Sequence, residues 1–232
     1  MGAQPTSPTT EFDAVRIGGY WCWQGTVESV AYAFVGRGPR VETGGVLRAL
    51  GEPSLPTAWL QQVHSIDLRE AVRGDSGRGD ALHSTALDLA LVIQTADCVP
   101  VLLASETRVA AIHAGWRGIE AGVVPVSLQQ LAPAQDLTAI LGPSIGPCCY
   151  EVGEEVAQAV EKNLPTSDAI RRFPGTKPHI DLQLAVAQQL EAAGIRVLQQ
   201  VRACTRCNPD LLWSHRRDGP RAGRNLAFIW RR

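Results

Sequence analysis

The sequence has almost no lysine and little excess charge of either sign. Its 232 residues include 22 basic and 23 acidic side chains, which gives a formal net charge of −1. A protein that binds nucleic acid through its overall charge shows a basic excess, so this balance argues against a nucleic-acid partner. Lys162 and Lys177 are the only lysines. The remaining positive charge is arginine, which suits fixed bidentate contacts to phosphate or carboxylate.

Long hydrophobic runs and an export signal are also lacking. The longest apolar stretch, residues 90–104, is interrupted by polar residues and a proline, whereas a membrane span needs about 20 apolar residues. Residues 1–11 are polar, with two prolines and without the apolar core of a secretory signal. We therefore expect no membrane partner, a disordered leader at 1–11, a single domain at 12–232 and a cytoplasmic location, where the six cysteines are reduced.

Short apolar runs alternate with amphipathic stretches along the chain. One helix is predicted around residues 152–160. A second follows Gly115, and Pro125 would start, kink or break that helix. A third begins after Asp181 as its N-cap and ends at Gly194. This alternation predicts a single α/β or α+β domain. The predicted strands are Leu89–Gln94, Val99–Leu103, Arg108–His113, Thr138–Gly142, Ile195–Val201 and Asn225–Trp230.

A predicted hairpin brings a cysteine and a histidine to one end of a sheet. The three-residue joint at 105–107 favours an antiparallel pair, hence a mixed sheet, with Cys98 and His113 at the end opposite the turn. Together with His64 they form a plausible ligand set for zinc or copper, with a fourth position open for water. The spacing equally allows a nucleophilic pair in which His113 activates the Cys98 thiol, or an inert buried thiol.

Three further segments have both a functional and a structural interpretation. The loop at 142–147, rich in glycine and proline, could cradle an anion with its N–H groups or form an ordinary tight turn. The basic cluster at 214–224 could bind phosphate or form a solvated loop. The Gly-rich segment from Arg73 to Asp80 has no apolar period and is predicted to be a surface loop.

Four further cysteines form two close pairs, Cys148 with Cys149 and Cys204 with Cys207. Two pairs invite the interpretation of a four-cysteine structural zinc site. However, adjacent residues rarely point both side chains at one ion, and small apolar thiols pack well after a tight loop. We therefore expect these four to be reduced packing residues that bind no second metal.

The motifs taken together resemble one family over almost the whole chain, from about Ala31 to Ile229. It is the laccase-domain family, formerly termed multicopper polyphenol oxidases and now described as purine nucleoside phosphorylases, with some members described as peptidoglycan editing factors. The motifs that carry the resemblance are Gln62-Val63-His64, Ala96-Asp97-Cys98, His113-Ala114-Gly115-Trp116-Arg117-Gly118, residues 142–152, Cys204-Thr205 and residues 214–218.

The resemblance implies a single-domain layered α/β sandwich with mixed sheets flanked by helices. It also implies that His64, Cys98 and His113 hold a catalytic metal, zinc with copper as the alternative. The implied activities are phosphorolysis of adenosine, inosine and methylthioadenosine, and adenosine deamination. The implied partners are thus a nucleoside and phosphate, and Arg37, Arg117 and Arg216 are the phosphate-binding candidates. The oligomeric state is left open.

The sequence departs from the family pattern in three places. The segment from Gly38 to Gly51 is shortened, His215 replaces a usual tyrosine, and Ala187 replaces a common asparagine. Alternative functions are a metal-free cysteine hydrolase or deamidase using Cys98 and His113, a copper-dependent polyphenol oxidase, and a non-enzymatic partner in cell-wall synthesis. Five histidines are few for multicopper electron transfer.

Overall fold

A computed structural model describes residues 13–39 and 43–232. The predicted leader at 1–11 lies outside the described residues. The helices are α1 (Thr43–Ala49), α2 (Trp116–Ala121), α3 (Val123–Gln130), α4 (Glu154–Glu161), α5 (Leu182–Ala192) and α6 (His215–Asp218). The strands are β1 (Val15–Ile17), β2 (Tyr20–Val27), β3 (Val30–Val35), β4 (Thr57–Gln61), β5 (Leu68–Glu70), β6 (Gly74–Arg78), β7 (Ala81–Ser84), β8 (Ala90–Thr95), β9 (Val99–Ala104), β10 (Val109–Ala114), β11 (Thr138–Leu141), β12 (Ile170–Arg171), β13 (His179–Ile180), β14 (Arg196–Gln200) and β15 (Asn225–Arg231).

Two mixed sheets form the centre of the fold. One has seven strands in the order β1-β2-β3-β15-β8-β4-β6, and the other has six in the order β14-β11-β9-β10-β7-β5. Most neighbours are antiparallel, while β4 pairs in parallel with β6 and β8, β11 with β14, and β5 with β7. The predicted mixed sheet and layered α/β sandwich are confirmed.

The side chains divide into three buried layers. Leu91 and Ile93 point from β8 into the layer between the sheets, while Ala90 and Val92 point from the same strand toward α1. The second sheet buries its other face against helices α2 to α5. Because each sheet is covered on both faces, its central strands carry continuous apolar runs, as β9 does over its whole length and β8 over its first four residues. No helix of the described residues is long and apolar enough to cross a membrane.

The predicted hairpin forms, and both of its candidate site residues lie at its open end. Strands β9 and β10 are antiparallel, and His113 pairs with Pro100 in the ladder, two residues after Cys98. The turn from Ser105 to Arg108 lies at the far end. The hairpin therefore brings Cys98 and His113 to one side of the molecule.

One local prediction needs correction, and the prediction for Pro125 is confirmed in one of its three forms, the start of a helix. The segment from Arg73 to Asp80 is not a loop throughout, because β6 pairs in parallel with β4 as an edge strand. The helix predicted after Gly115 is two helices, α2 and α3, separated by Gly122 with φ +84°. Pro125 lies in the first turn of α3, where a missing N–H leaves no helical hydrogen bond unmade.

Candidate metal centre and adjoining cavity

His64, Cys98 and His113 converge from three different segments. Their ligand atoms all lie within 4.8 Å of one another, and Nε2 of His64 is 4.0 Å from Sγ of Cys98. Metal–ligand bonds of about 2.0–2.3 Å at tetrahedral angles place ligand atoms about 3.5 Å apart, so small side-chain adjustments would bring all three onto one ion. Two imidazoles and one thiolate are a donor set that fits zinc or copper.

A buried carboxylate orients this cluster. Oδ1 of Asp80 lies 2.8 Å from Nδ1 of His113, which leaves Nε2 of that ring as its ligand atom. Oδ2 of Asp80 accepts hydrogen bonds from the backbone N–H groups of Val63 and Ser65, on either side of His64. His64 itself has φ +61°, a left-handed conformation that a non-glycine residue adopts only when its surroundings hold it there.

Cys98 and His113 of the hairpin each favour the charged form of the other. Burial opposes both charges, but the attraction between the Cys98 thiolate and the His113 imidazolium outweighs it. As a result the pKa of Cys98 falls to about 6 and the pKa of His113 rises to about 9. Burial opposes ionisation of Asp80 as well, but hydrogen bonds from His113, Ser65 and Val63 outweigh it and lower the pKa of Asp80 to about 2.

Gly115 leaves the space that the cluster needs. A Cβ at this position would lie 2.8 Å from Sγ of Cys98 and 3.1 Å from Cδ2 of His64. Any larger residue would therefore push the ligands apart. The glycine of the His-Ala-Gly motif is thus required by close packing against the cluster.

A cavity of about 360 Å³ adjoins the cluster. Trp116, which follows Gly115 in the chain, lines it together with Tyr150, Lys177 and Arg216. Burial and the negative charge of nearby Cys98 raise the pKa of Tyr150, so its hydroxyl stays protonated. The volume is at the small end of the range for ligand pockets, about 300–1,000 Å³.

The three arginines predicted to bind phosphate occupy different surroundings. Arg216 lines the cavity, with its guanidinium 5.0 Å from the centroid of the Tyr150 ring. Arg117 stacks on Trp116 at 4.3 Å. Arg37 does not line the cavity; it stacks on Trp213 at 3.7 Å and pairs with Asp218.

Asp97 connects the loops around the cavity. Its backbone has φ +95°, and its carboxylate accepts hydrogen bonds from the Thr205 hydroxyl at 2.5 Å and from the Arg216 N–H at 2.6 Å. Its carbonyl accepts from the Ile145 N–H at 2.9 Å. The sequence motifs include Asp97, in Ala-Asp-Cys, but assign it no role. They do not include Asp80, the last residue of the Gly-rich segment, which has no recognisable pattern.

The loop at 142–147 is held as a tight turn, because three of its four N–H groups bond to other parts of the protein. The N–H of Gly142 donates to the carbonyl of Pro100, and the N–H of Ile145 donates to the carbonyl of Asp97. The N–H of Gly146 donates to Sγ of Cys204. These three groups are not available to cradle an anion, which favours the tight-turn interpretation. Of the departures from the family pattern, His215 is exposed at the start of α6 and Ala187 is buried in α5, while residues 40–42 of the shortened segment lie outside the described residues.

Comparison with known proteins matches residues 43–232 to the model of the family described as multi-copper polyphenol oxidoreductase laccase. The chain belongs to this family. The purine nucleoside phosphorylase YlmD of Geobacillus stearothermophilus is 33% identical over 195 residues, covering 74% of this chain and 71% of the relative. The purine nucleoside phosphorylase YfiH of Escherichia coli is 36% identical over 184 residues, covering 77% and 74%.

Solved structures in the same family share the fold. The crystal structure of YlmD from Geobacillus stearothermophilus superposes with a TM-score of 0.84 at 25% identity, covering 96% of this chain and 99% of that chain. Protein NMB0706 of Neisseria meningitidis superposes with a TM-score of 0.80 at 27% identity, covering 90% and 98%. The resemblance stated from the motifs is therefore confirmed at the level of family and fold.

Proposed function

We propose that the protein is a metal-dependent purine nucleoside phosphorylase that acts on adenosine, inosine and methylthioadenosine and also deaminates adenosine. The observation that carries the proposal is the convergence of His64, Cys98 and His113 beside a cavity lined by aromatic and cationic side chains. The names of the relatives support the same substrate class. A cytoplasmic location, where nucleosides and phosphate are both present, is part of the proposal.

The aromatic side chains of the cavity can bind the purine. Trp116 and Tyr150 line the same space, and flat aromatic rings stack on nucleobases without requiring a particular base. The Tyr150 hydroxyl stays protonated at neutral pH because its pKa is raised. It can therefore donate a hydrogen bond to a ring nitrogen or a ribose oxygen.

The cationic side chains can bind phosphate. Arg216 uses Nη1 for the carbonyl of Glu151 at 2.8 Å, which leaves its other N–H groups free for phosphate oxygens. In phosphorolysis a phosphate oxygen forms a bond to C1′ of the nucleoside and the bond from C1′ to the purine breaks. The purine takes the electron pair of that bond and is protonated. Arg216, with Lys177 and Arg117 nearby, offsets the charge of the attacking anion.

His64, Cys98 and His113 would hold the metal, with Asp80 keeping His113 in the tautomer that presents Nε2. A bound zinc ion lowers the pKa of water to about 7 and polarises an adjacent group, which suits deamination of adenosine, where water adds at C6 and ammonia leaves. Gly115 keeps the ligands in contact, and the hairpin keeps Cys98 and His113 in register.

A metal-free cysteine hydrolase is the second candidate. The arrangement that favours it is Cys98 beside His113, because the imidazole lowers the pKa of the thiol and a lowered pKa activates a thiol as a nucleophile. The two candidates differ in their response to a chelator. A metal-dependent enzyme loses activity when the metal is removed and regains it on reloading, whereas the thiolate nucleophile needs no metal.

The test is chromatographic analysis of adenosine incubated with the purified protein, with and without inorganic phosphate. We expect adenine and ribose 1-phosphate only when phosphate is present. Inosine should form under both conditions, and with phosphate part of it should be cleaved further to hypoxanthine. Cys98→Ala should abolish both products. Intact adenosine in the presence of metal and phosphate would refute the proposed function. Activity that survives chelation would support the metal-free cysteine hydrolase instead.

A further inference from the structure

Four cysteines outside the proposed catalytic centre meet in one place. Cys148 and Cys149 lie in the loop between β11 and α4, and Cys204 and Cys207 lie in the loop after β14. Their sulfur atoms all lie within 4.8 Å of one another. Folding thus brings together two pairs that are more than fifty residues apart in the chain.

The sulfur separations match those of a tetrahedral metal–thiolate centre. Sγ of Cys207 is 3.6 Å from Sγ of Cys148 and 3.3 Å from Sγ of Cys149. Zinc–sulfur bonds of about 2.3 Å at tetrahedral angles place sulfur atoms about 3.8 Å apart. A disulfide would require about 2.05 Å, and all four cysteines are free thiols.

Packing explains only two of these positions, since Cys149 and Cys204 pack against the core beside the helices. Cys148 and Cys207 are exposed, and Cys149 and Cys204 are only partly buried, so the expectation that all four are packing residues is wrong for the exposed pair. The argument from adjacency also fails, because the turn closed by the N–H of Cys149 on the carbonyl of Gly146 directs both adjacent thiols toward Cys207.

The backbone around Cys204 is arranged to stabilise a thiolate. The Gly146 N–H donates to Sγ of Cys204 at 3.2 Å. Zinc binds cysteine in its thiolate form, so N–H groups that support the charge also support a metal site.

We propose that Cys148, Cys149, Cys204 and Cys207 bind a second metal ion, a zinc ion in a closed tetrahedral site with four protein ligands. Because no coordination position is left for water or substrate, the site is structural. The ion joins the loop at 142–150 to the loop at 204–207. The protein also links these loops by a β-bridge between Ser144 and Cys204 and by the Gly146 N–H bond to Sγ of Cys204.

The position of the site connects it to the cavity. The two joined loops supply Ile145 and Thr205, which both hydrogen-bond to Asp97, and Asp97 precedes Cys98 in the chain. One of the loops ends at Tyr150, which lines the cavity. The second ion therefore holds the cavity wall and the Asp97 turn in place without touching substrate.

The first test is elemental analysis by mass spectrometry of protein purified under reducing conditions with zinc. We expect about two zinc ions per chain in the wild type and about one in the double variant Cys204→Ser/Cys207→Ser, since a site loses zinc when half of its thiolates are removed. Cys22→Ala is the matched control, because Cys22 is buried among apolar residues. It should retain both ions.

A second measurement decides the question if the double variant does not fold. Cys98→Ala removes a ligand of the other centre and leaves the four cysteines intact, so it should retain about one ion. Loaded with cobalt, it should show the intense visible absorption and thiolate charge-transfer bands of a four-thiolate tetrahedral site. Absence of a tightly bound ion from Cys98→Ala, or a disulfide among the four cysteines found by mass mapping of protein kept under reducing conditions, would overturn the proposal.

Discussion

Asp80 and His113 are hydrogen-bonded side chain to side chain at 2.8 Å, and Asp80 is fully buried. The second oxygen of the same carboxylate holds the backbone on both sides of His64. One residue therefore sets the ring orientation of His113 and the position of the loop that carries His64. Replacing a carboxylate that orients a metal-binding histidine in this way typically lowers metal affinity by about 10- to 100-fold.

The first prediction is that Asp80→Asn weakens metal binding by roughly 10- to 100-fold. The amide oxygen can still accept from Val63 and Ser65, which turns the NH₂ group toward Nδ1 of His113. That ring would then carry its proton on Nε2, the atom needed for the metal. Affinity is measured by competition with a chromophoric chelator.

Asp75→Asn is the control for this substitution. Asp75 lies in the same segment, is exposed, and bonds to Gln61 and Gly77 rather than to the cluster. Its replacement should leave metal affinity unchanged. Equal affinities for wild type and Asp80→Asn would show that the carboxylate does not orient a metal ligand.

The second prediction is that Gly115→Ala loses the metal of the His64, Cys98 and His113 centre while the protein stays folded. The new Cβ would lie 2.8 Å from Sγ of Cys98, closer than real Cβ contacts. The backbone of Gly115, at φ −81° and ψ 170°, is in the extended region that alanine also adopts. Metal content and far-ultraviolet circular dichroism measure the two effects. Gly44→Ala is the control, since nothing lies within 4 Å of its Cβ. A Gly115→Ala protein with normal metal content would contradict the close-packing argument.

The hairpin and the longest helix of the described residues show what could be predicted from local sequence. The three-residue connection at 105–107 fits only an antiparallel pair, which brought Cys98 and His113 together as expected. Asp181 accepts from the Leu184 N–H at 3.0 Å and Gly194 has φ +76°, so cap and stop act as predicted. These signals are short-range, and the residues that carry them are adjacent in the chain.

The features that were missed depend on partners distant in sequence. Strand β6 contains two glycines and no apolar side chain; it is a strand because β4 pairs with it, and strand preference reflects such context. Asp80 has no motif of its own, and only the approach of residues 63–65 and 113 shows its role. The two cysteine pairs likewise meet through the packing of two loops, which spacing along the chain does not predict.

The third prediction concerns the reactivity of Cys98 in metal-free protein. Its pKa is lowered to about 6, largely by His113 against the opposing effect of burial, so the thiolate predominates above that pH. The rate of alkylation by iodoacetamide should rise with pH to a half-maximum near 6 and level off. An ordinary cysteine has a pKa of about 8.5, so its rate of alkylation continues to rise through neutral pH. The rate is measured by peptide mass spectrometry.

Cys22 provides an internal control in the same sample. Burial raises its pKa to about 11, so it should remain unmodified across this range and react only after denaturation. Zinc should protect Cys98 when it is restored. A half-maximum near 8.5 in metal-free protein would show that His113 does not stabilise the Cys98 thiolate.

The last prediction separates phosphate binding from the rest of the site. Arg216→Ala removes the guanidinium from the cavity but keeps the backbone N–H that bonds to Asp97 at 2.6 Å, so the loop stays anchored. Loss of a charge-assisted hydrogen bond costs about 1.5–3 kcal/mol; the KM for phosphate should therefore rise roughly 10- to 100-fold. Deamination uses water instead of phosphate and should change little.

Steady-state kinetics of adenine and inosine release measure both reactions. Arg221→Ala is the control, because Arg221 belongs to the same basic cluster yet does not line the cavity. If both reactions fell together, or if only Arg221→Ala impaired phosphorolysis, Arg216 would not be the phosphate ligand.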